Sequence, residues 1–278
     1  MIPFLDGTKP SLYSAAMSQS FLEMIKPQVA AEVERLKQEM SPQEWRDRAL
    51  RRSVKSDFCD AIKDRGGIHV IAEIKKASPS RGILRDSFDP VALARIYEAH
   101  GAAALSVLTE EKYFLGSVRH LAQVAMISKL PVLRKDFILD EIQIAQARSN
   151  GAAAVLLILS FLARNRLEEL IRVCEIYSMT PLVEVHDAEE LEQVTSAGAK
   201  LIGVNNRNLK TLEVDVEISE RLIDLKTDGQ LFVAESGLNS PDQVVRLHER
   251  GYDAFLIGEH FMKSADPGAE LDRMRGRQ

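Results

Sequence analysis

Cysteine is nearly absent: Cys59 and Cys174 are the only two in 278 residues. They share no CxxC spacing, which excludes a disulfide framework and a thiolate metal site and leaves reduced thiols in a cytoplasmic protein. The six histidines form no HxxxH-type pair, so no metal is expected. Long apolar runs are missing as well. The longest, residues 152–159, is far too short to span a bilayer, so no membrane partner is expected. The opening Met1-Ile2-Pro3-Phe4-Leu5-Asp6-Gly7 has no basic stretch followed by an apolar one, so no secretory leader is expected. A formal net charge of -5 leaves no broad basic face for nucleic acid. The basic residues of 46–52 are interleaved with acid and read as a solvated helix face.

What is present is patterned. Hydrophobic content of 45% with 28% charged residues is ordinary for a globular chain. From residue 69 onward short apolar runs recur at 69–74, 103–108, 131–134, 153–159, 181–185, 201–204, 231–234 and 254–257. Between them lie stretches with helical spacing, such as 90–97 and 167–174, and Gly101, Gly151, Gly198 and Gly251 each stand just before a strand. Glycine there predicts a left-handed helix cap and a short turn into the strand. Near-continuous apolar strands alternating with helices predict a parallel sheet covered by helices.

Eight such units fit an α/β fold of the (β/α)8 TIM-barrel type, for which about 250 residues is typical. The rival doubly wound sheet needs a glycine-rich nucleotide turn after its first strand, and residues 75–82 hold a single glycine. Residues 57–278 are therefore assigned to the barrel. Residues 1–56 are assigned to an N-terminal helical extension, too poor in apolar surface to be a domain. Phe21, Leu22, Ile25, Val29, Val33 and Leu36 repeat at helical spacing, with Pro27 expected to shift the helix start. Ser41-Pro42-Gln43-Glu44 is a capping box that opens a second helix. Two roles stay open for these helices, covering the barrel rim or making a dimer contact. The chain is expected to be a monomer or a weak homodimer.

In barrels of this kind the chemistry lies at the carboxyl ends of the strands. Those ends read Glu73 and Lys75, Thr109 and Glu110, Lys135 and Asp136, Ser160, Glu184 and His186, Asn205 and Asn206, Glu235 and Ser236, Gly258 and Glu259. A ring carrying both signs of charge is expected to be an active site. The last two ends, Glu235-Ser236-Gly237 and Gly258-Glu259, offer small residues, a hydroxyl and free backbone N–H groups, as a phosphate site needs. Tyr113, Phe114, Phe137 and Leu156 lie beside the charges and suit a flat aromatic group.

The run Ile71-Ala72-Glu73-Ile74-Lys75-Lys76-Ala77-Ser78-Pro79-Ser80-Arg81-Gly82 resembles the signature of indole-3-glycerol phosphate synthase, of tryptophan biosynthesis. Leu133-Arg134-Lys135-Asp136-Phe137, Leu182-Val183-Glu184-Val185, the run from Ile202 to Leu209, and Val233-Ala234-Glu235-Ser236-Gly237 also resemble that family. The likeness runs from Asp57 to Met262, in order and at the right spacing.

The resemblance implies a carboxy-lyase that closes the indole ring of 1-(2-carboxyphenylamino)-1-deoxyribulose 5-phosphate, a phosphorylated small molecule, with loss of carbon dioxide and water. No cofactor is implied, because the substrate's own iminium is the electron sink. Lys135 corresponds to the general acid. Glu73, Lys75 and Glu184 correspond to the candidates for a second acid/base pair, Asn205 to a hydroxyl ligand, and Glu235 to a group that either holds a lysine charged or orients a hydroxyl. The phosphate falls to Lys75, Ser236, Gly237, Gly258 and the backbone of Glu259, where many relatives carry serine. Ser78 and Arg207 approach the anthranilate carboxylate, and Phe114, Phe137 and Leu156 line the aromatic slot. Which glutamate takes the ring proton stays open. The rivals are a Schiff-base or isomerase barrel acting on a phosphosugar, and a catalytically dead phosphometabolite binder.

Overall fold

The computed structural model describes residues 21–53, 56–63 and 66–277. The N-terminal heptapeptide read above for a leader lies outside them. Eight strands form the barrel: β1 Val70–Ile74, β2 Ala104–Leu108, β3 Val132–Lys135, β4 Ala154–Ile158, β5 Thr180–Val185, β6 Leu201–Asn205, β7 Leu231–Glu235 and β8 Ala254–Ile257. Each end lies within one residue of the run that predicted it. All pair in parallel, and β1 bonds to both β2 and β8, which closes the sheet into a barrel.

Strand alternation sorts the apolar residues into two cores. Ile71, Ala104, Leu133, Ala154, Leu182, Leu201, Val233 and Ala254 point inward and fill the barrel. Val70, Leu105, Val132, Val155, Val183, Ile202, Phe232 and Phe255 point outward and pack under the helices. This explains the continuous apolar runs, since both faces of every strand are buried.

The four glycines behave as the sequence predicts. Gly101, Gly151, Gly198 and Gly251 have φ of 73°, 93°, 84° and 111°, where a side chain would be strained. In each case the next N–H reaches back five residues, as in Ala102 N to Tyr97 O at 2.9 Å and Ala152 N to Ala147 O at 3.0 Å. That bond satisfies a helix-end carbonyl and turns the chain straight into the next strand. Helix starts are equally legible: Asp89, Ser117, Asp140, Asp187, Ser240 and Asp266 each cap a first turn through the side chain.

Before the barrel come α1 Phe21–Glu39, α2 Pro42–Arg51 and α3 Phe58–Ile62. The Ser41 capping box is present, with Ser41 N donating to Glu44 Oε2 at 2.9 Å. Pro27 lies inside α1, and the helix runs through it. An interior proline costs about 3 kcal/mol. The six buried apolar residues of α1, at roughly 1.5–3 kcal/mol each, outweigh that penalty.

Arg134 explains how α1 is fastened. It lies on the outward face of β3, fully buried, and donates to Thr109 Oγ1 at 2.9 Å, Asp136 Oδ2 at 2.9 Å, Gln143 O at 3.0 Å and Gln146 Oε1 at 2.8 Å. Its last nitrogen reaches Glu32 of α1 at 3.4 Å. The aromatic end of α1 packs over the carboxyl end of the barrel, with the Phe21 ring 5.2 Å from Tyr113 and 5.9 Å from Phe137. Of the two roles left open by the sequence, α1 therefore takes the rim. No helix among the described residues is long and apolar enough to cross a membrane.

Candidate active site

The alternation that fills the barrel also decides which strand-end residues face its mouth. Inward positions continue upward from the apolar layers as Glu73 and Lys75 on and after β1, Lys135 on β3, Glu184 on β5, Asn205 on β6 and Glu235 on β7. All six line one cavity of about 610 Å³. Its wall also contains Ser78, Phe114, Phe137, Leu156, Arg207, Ser236, Gly237, Gly258 and Glu259, so every residue that the family resemblance assigns a role reaches the same cavity, whereas Tyr113 does not line it.

Several other strand-end residues of the ring turn elsewhere. The Asp136 carboxylate, expected beside Lys135, belongs to the Arg134 network, accepting from Arg134 and from Phe137 N at 2.8 Å. Thr109 bonds to both Arg134 and Asp136. Glu110 accepts from the backbone of Lys112, Tyr113 and Phe114 at 2.7–3.0 Å, and so shapes the loop that presents Phe114. Asn206 spans Ser219 and the Ser236 carbonyl, at 2.8 and 3.1 Å. Neighbours in sequence point to opposite faces, so half the ring is scaffold.

At the centre stands Lys135. Its Nζ lies 2.9 Å from Glu184 Oε2 and 2.9 Å from Glu235 Oε2, with the side chain 14% exposed. Burial opposes the ammonium, but the charges of Glu184, Glu235 and Glu73 outweigh it and hold the pKa above the ordinary lysine value. The two carboxylates diverge although their distances to Lys135 match. Burial would raise Glu184, yet Lys135, His186 and a 3.0 Å bond from Asn205 Nδ2 bring it below the usual range. Burial pushes Glu235 up to about 7, against the pull of Lys135 and with the repulsion of Glu184. Its Oε1 has no hydrogen-bond partner, which is why burial wins there. Lys75 pairs with Glu73 across the mouth.

Two glycines make room for these acids. A Cβ on Gly203 would collide with Glu235 Oε1, and one on Gly258 would collide with the Glu73 carboxylate. Replacing Gly203 by alanine is expected to push Glu235 off Lys135 and lower kcat by about 10–100-fold with KM little changed. Steady-state kinetics check this, and an unaltered kcat would mean that the Glu235 contact is dispensable.

The cavity has two contrasting ends. Phe114, Phe137 and Leu156 form an apolar wall, which Phe21 of α1 completes. Phe21 was missed because nothing in its own helix marks it as more than core. At the other end Ser236 and Gly237 are both left-handed, with φ of 62° and 77°, and Gly258, which follows β8, lines the cavity beside them. Glu259 contacts Lys263 at 2.6 Å, Arg81 at 3.3 Å and Arg207 at 3.5 Å. Ser78 Oγ is buried and has no partner. Leu209, Leu212, Val214 and Val216 of the loop after β6 also line the cavity, with no signal in the sequence beyond their apolarity.

A closed parallel barrel with paired acids and bases at the carboxyl ends of its strands defines a (β/α)8-barrel enzyme. The fold alone is widely shared: a 3-hexulose-6-phosphate synthase structure superposes with a TM-score of 0.61 over 75% of this chain and 99% of that one, at 13% identity. Sequence is more discriminating. Residues 22–274 match the indole-3-glycerol phosphate synthase family. The enzyme of that name from Carboxydothermus hydrogenoformans is 49% identical, over 75% of this chain and 79% of its own. The one from Ruminiclostridium cellulolyticum is 43% identical over 92% and 98%. The chain belongs to the indole-3-glycerol phosphate synthase family, carboxy-lyases of tryptophan biosynthesis.

Proposed function

We propose that the cavity closes the indole ring of 1-(2-carboxyphenylamino)-1-deoxyribulose 5-phosphate, with Lys135 as the general acid. The observation that carries this reading is the Lys135 ammonium pinned between two buried carboxylates at the cavity's centre. The substrate has a flat aromatic ring bearing a carboxylate at one end and a phosphate at the other, and the cavity has an aromatic wall at one end and small, hydroxyl-bearing turns at the other. The anthranilate ring lies against Phe114, Phe137 and Leu156, its carboxylate toward Ser78 and Arg207. The phosphate sits on Lys75, Ser236, Gly237, Gly258 and the Glu259 backbone, and Asn205 holds a ribulose hydroxyl.

Three steps follow. The ring carbon bearing the carboxylate attacks the ribulose carbonyl, and Lys135 protonates the oxygen as it gains charge. Carbon dioxide leaves, its bonding electrons flowing to the substrate's own iminium and restoring the aromatic ring. Water then departs: a second acid protonates the hydroxyl while a base takes a proton from the adjacent carbon. The Glu73–Lys75 pair supplies both groups at one point of the wall. Glu235, with a pKa near 7, holds the charge on Lys135 and yields as that charge moves. A Schiff-base role for Lys135 fits poorly, since its carboxylate neighbours keep it an ammonium.

Helix α1 serves this site as a cover and the barrel as the catalytic unit, acting as a monomer or weak homodimer without nucleic acid. A cytoplasmic setting suits the free thiols of Cys59 and Cys174.

The test is an indole fluorescence assay of the purified chain with this substrate and no added metal or cofactor. Product formation is expected; silence with intact folding would move the assignment to another phosphosugar reaction. Ser236→Asp is expected to raise KM about tenfold or more, by placing a carboxylate against the phosphate, with a smaller change in kcat. An unchanged KM would remove Ser236 from the phosphate site.

A further inference from the structure

The ring closure consumes a proton. One proton goes to the carbonyl oxygen and a second to the departing hydroxyl, while only one returns, from the carbon beside the ring nitrogen. The carboxylate leaves as neutral carbon dioxide and takes no proton with it. Each turnover therefore draws one proton from solvent, through a cavity that the substrate fills.

His186 stands where such a proton can enter. It follows β5 directly and does not line the cavity; it lies behind Glu184. Its Nε2 is buried without a hydrogen-bond partner, 3.5 Å from Glu184 Oε1. Its Nδ1 is held 3.1 Å from Glu190 Oε2, and the same oxygen accepts the His186 backbone N–H at 2.8 Å. Both side chains reach solvent, at 14% and 18% exposure. The far oxygen of Glu184 touches Lys135. A series of ionisable groups thus runs from the surface through Glu190 and His186, across the 3.5 Å gap to Glu184, and on to the general acid.

We infer that His186, held by Glu190, relays the consumed proton from solvent through Glu184 to Lys135. This rests on the reading of the reaction above. The imidazolium gives its Nε2 proton to Glu184 Oε1 after Lys135 has become neutral, and the neutral carboxyl turns about its Cγ–Cδ bond to bring the O–H to Nζ and pass the proton on. The neutral ring regains a proton from solvent by turning about Cβ–Cγ, which carries its bare nitrogen to the exposed side. No bond other than N–H and O–H is made or broken. His186 touches no reacting atom and is a positioning residue. Burial works against its charge, but Glu190, Glu184 and Glu235 outweigh it and raise its pKa above the ordinary histidine value.

The experiment compares single turnover, with enzyme in excess, and steady state for wild type, His186→Gln and Glu190→Gln, with and without added imidazole. Wild-type indole formation checks the underlying reaction independently. In His186→Gln, KM is expected to stay within about twofold and steady-state kcat to fall about tenfold, while the first turnover is nearly unchanged. Imidazole is expected to restore the steady-state rate. Glu190→Gln, which leaves the ring in place, is expected to show a smaller loss with the same rescue. An unchanged kcat in both variants would overturn the relay. So would a loss shared equally by the first turnover and the steady state and insensitive to imidazole, since that is a purely structural defect.

Discussion

Lys135→Ala is expected to lower kcat by about 10³-fold, the range lost when a charged donor to a developing oxyanion is removed. The indole fluorescence assay reads it, and retention of more than a tenth of the wild-type rate would mean that another group is the acid. The stability of this variant should depend on pH. Glu184 and Glu235 would face each other without the cation that now separates them at 2.9 Å from each. Already in the wild type Glu235 titrates near 7, above its ordinary 4.5. A carboxyl whose pKa is raised by folding leaves stability intact below its unfolded value and removes it as pH rises through the folded one. Without Lys135 the folded value climbs further. The variant should melt close to wild type near pH 5 and fall behind it by pH 8. A pH-independent difference in melting temperature would sink this account of the cluster.

Arg134→Ala should be the most destabilising single substitution among the polar residues described here, at about 3–5 kcal/mol. The fully buried guanidinium is the countercharge of buried Asp136 and the anchor of Glu32 on α1. Truncation leaves Asp136 uncompensated and several acceptors unpaired. Because Arg134 points out of the barrel, the folded fraction should keep most of its kcat. Urea denaturation measures the loss, and a value under about 1 kcal/mol would show the network to be ornamental. Arg134→Leu combined with Asp136→Leu should recover much of the stability, since neither charge is then left alone.

The two adjacent residues Arg134 and Lys135 illustrate what can be read without coordinates. Both are basic, both end the same strand, and the sequence marks both as part of one motif. One fastens a helix to the outside of the barrel and the other faces its mouth. The period of two says that their roles differ, but only the register of β3 against β2 and β4 says which is which. The same holds for Asn205 and Asn206. Phe21 was out of reach for another reason. Its place in the aromatic wall depends on how α1 crosses the barrel, which rests on the burial of its apolar face against elements distant in sequence, with Glu32 also reaching Arg134, 102 positions away.

The sequence by itself determined the eight barrel strands, the glycine-capped turns between them and the motif residues from which the cavity's polar lining is drawn. Those features depend on local propensity, on alternation and on motifs whose order is written along the chain. The tertiary structure alone decided which strand-end charges share the cavity and that Lys135 lies between two unlike carboxylates. It alone brought α1 over the aromatic end and His186 behind Glu184. Closing the barrel brings side chains from distant strands within a few ångströms of one another, and the energies of burial and charge that fix their states exist only at those distances.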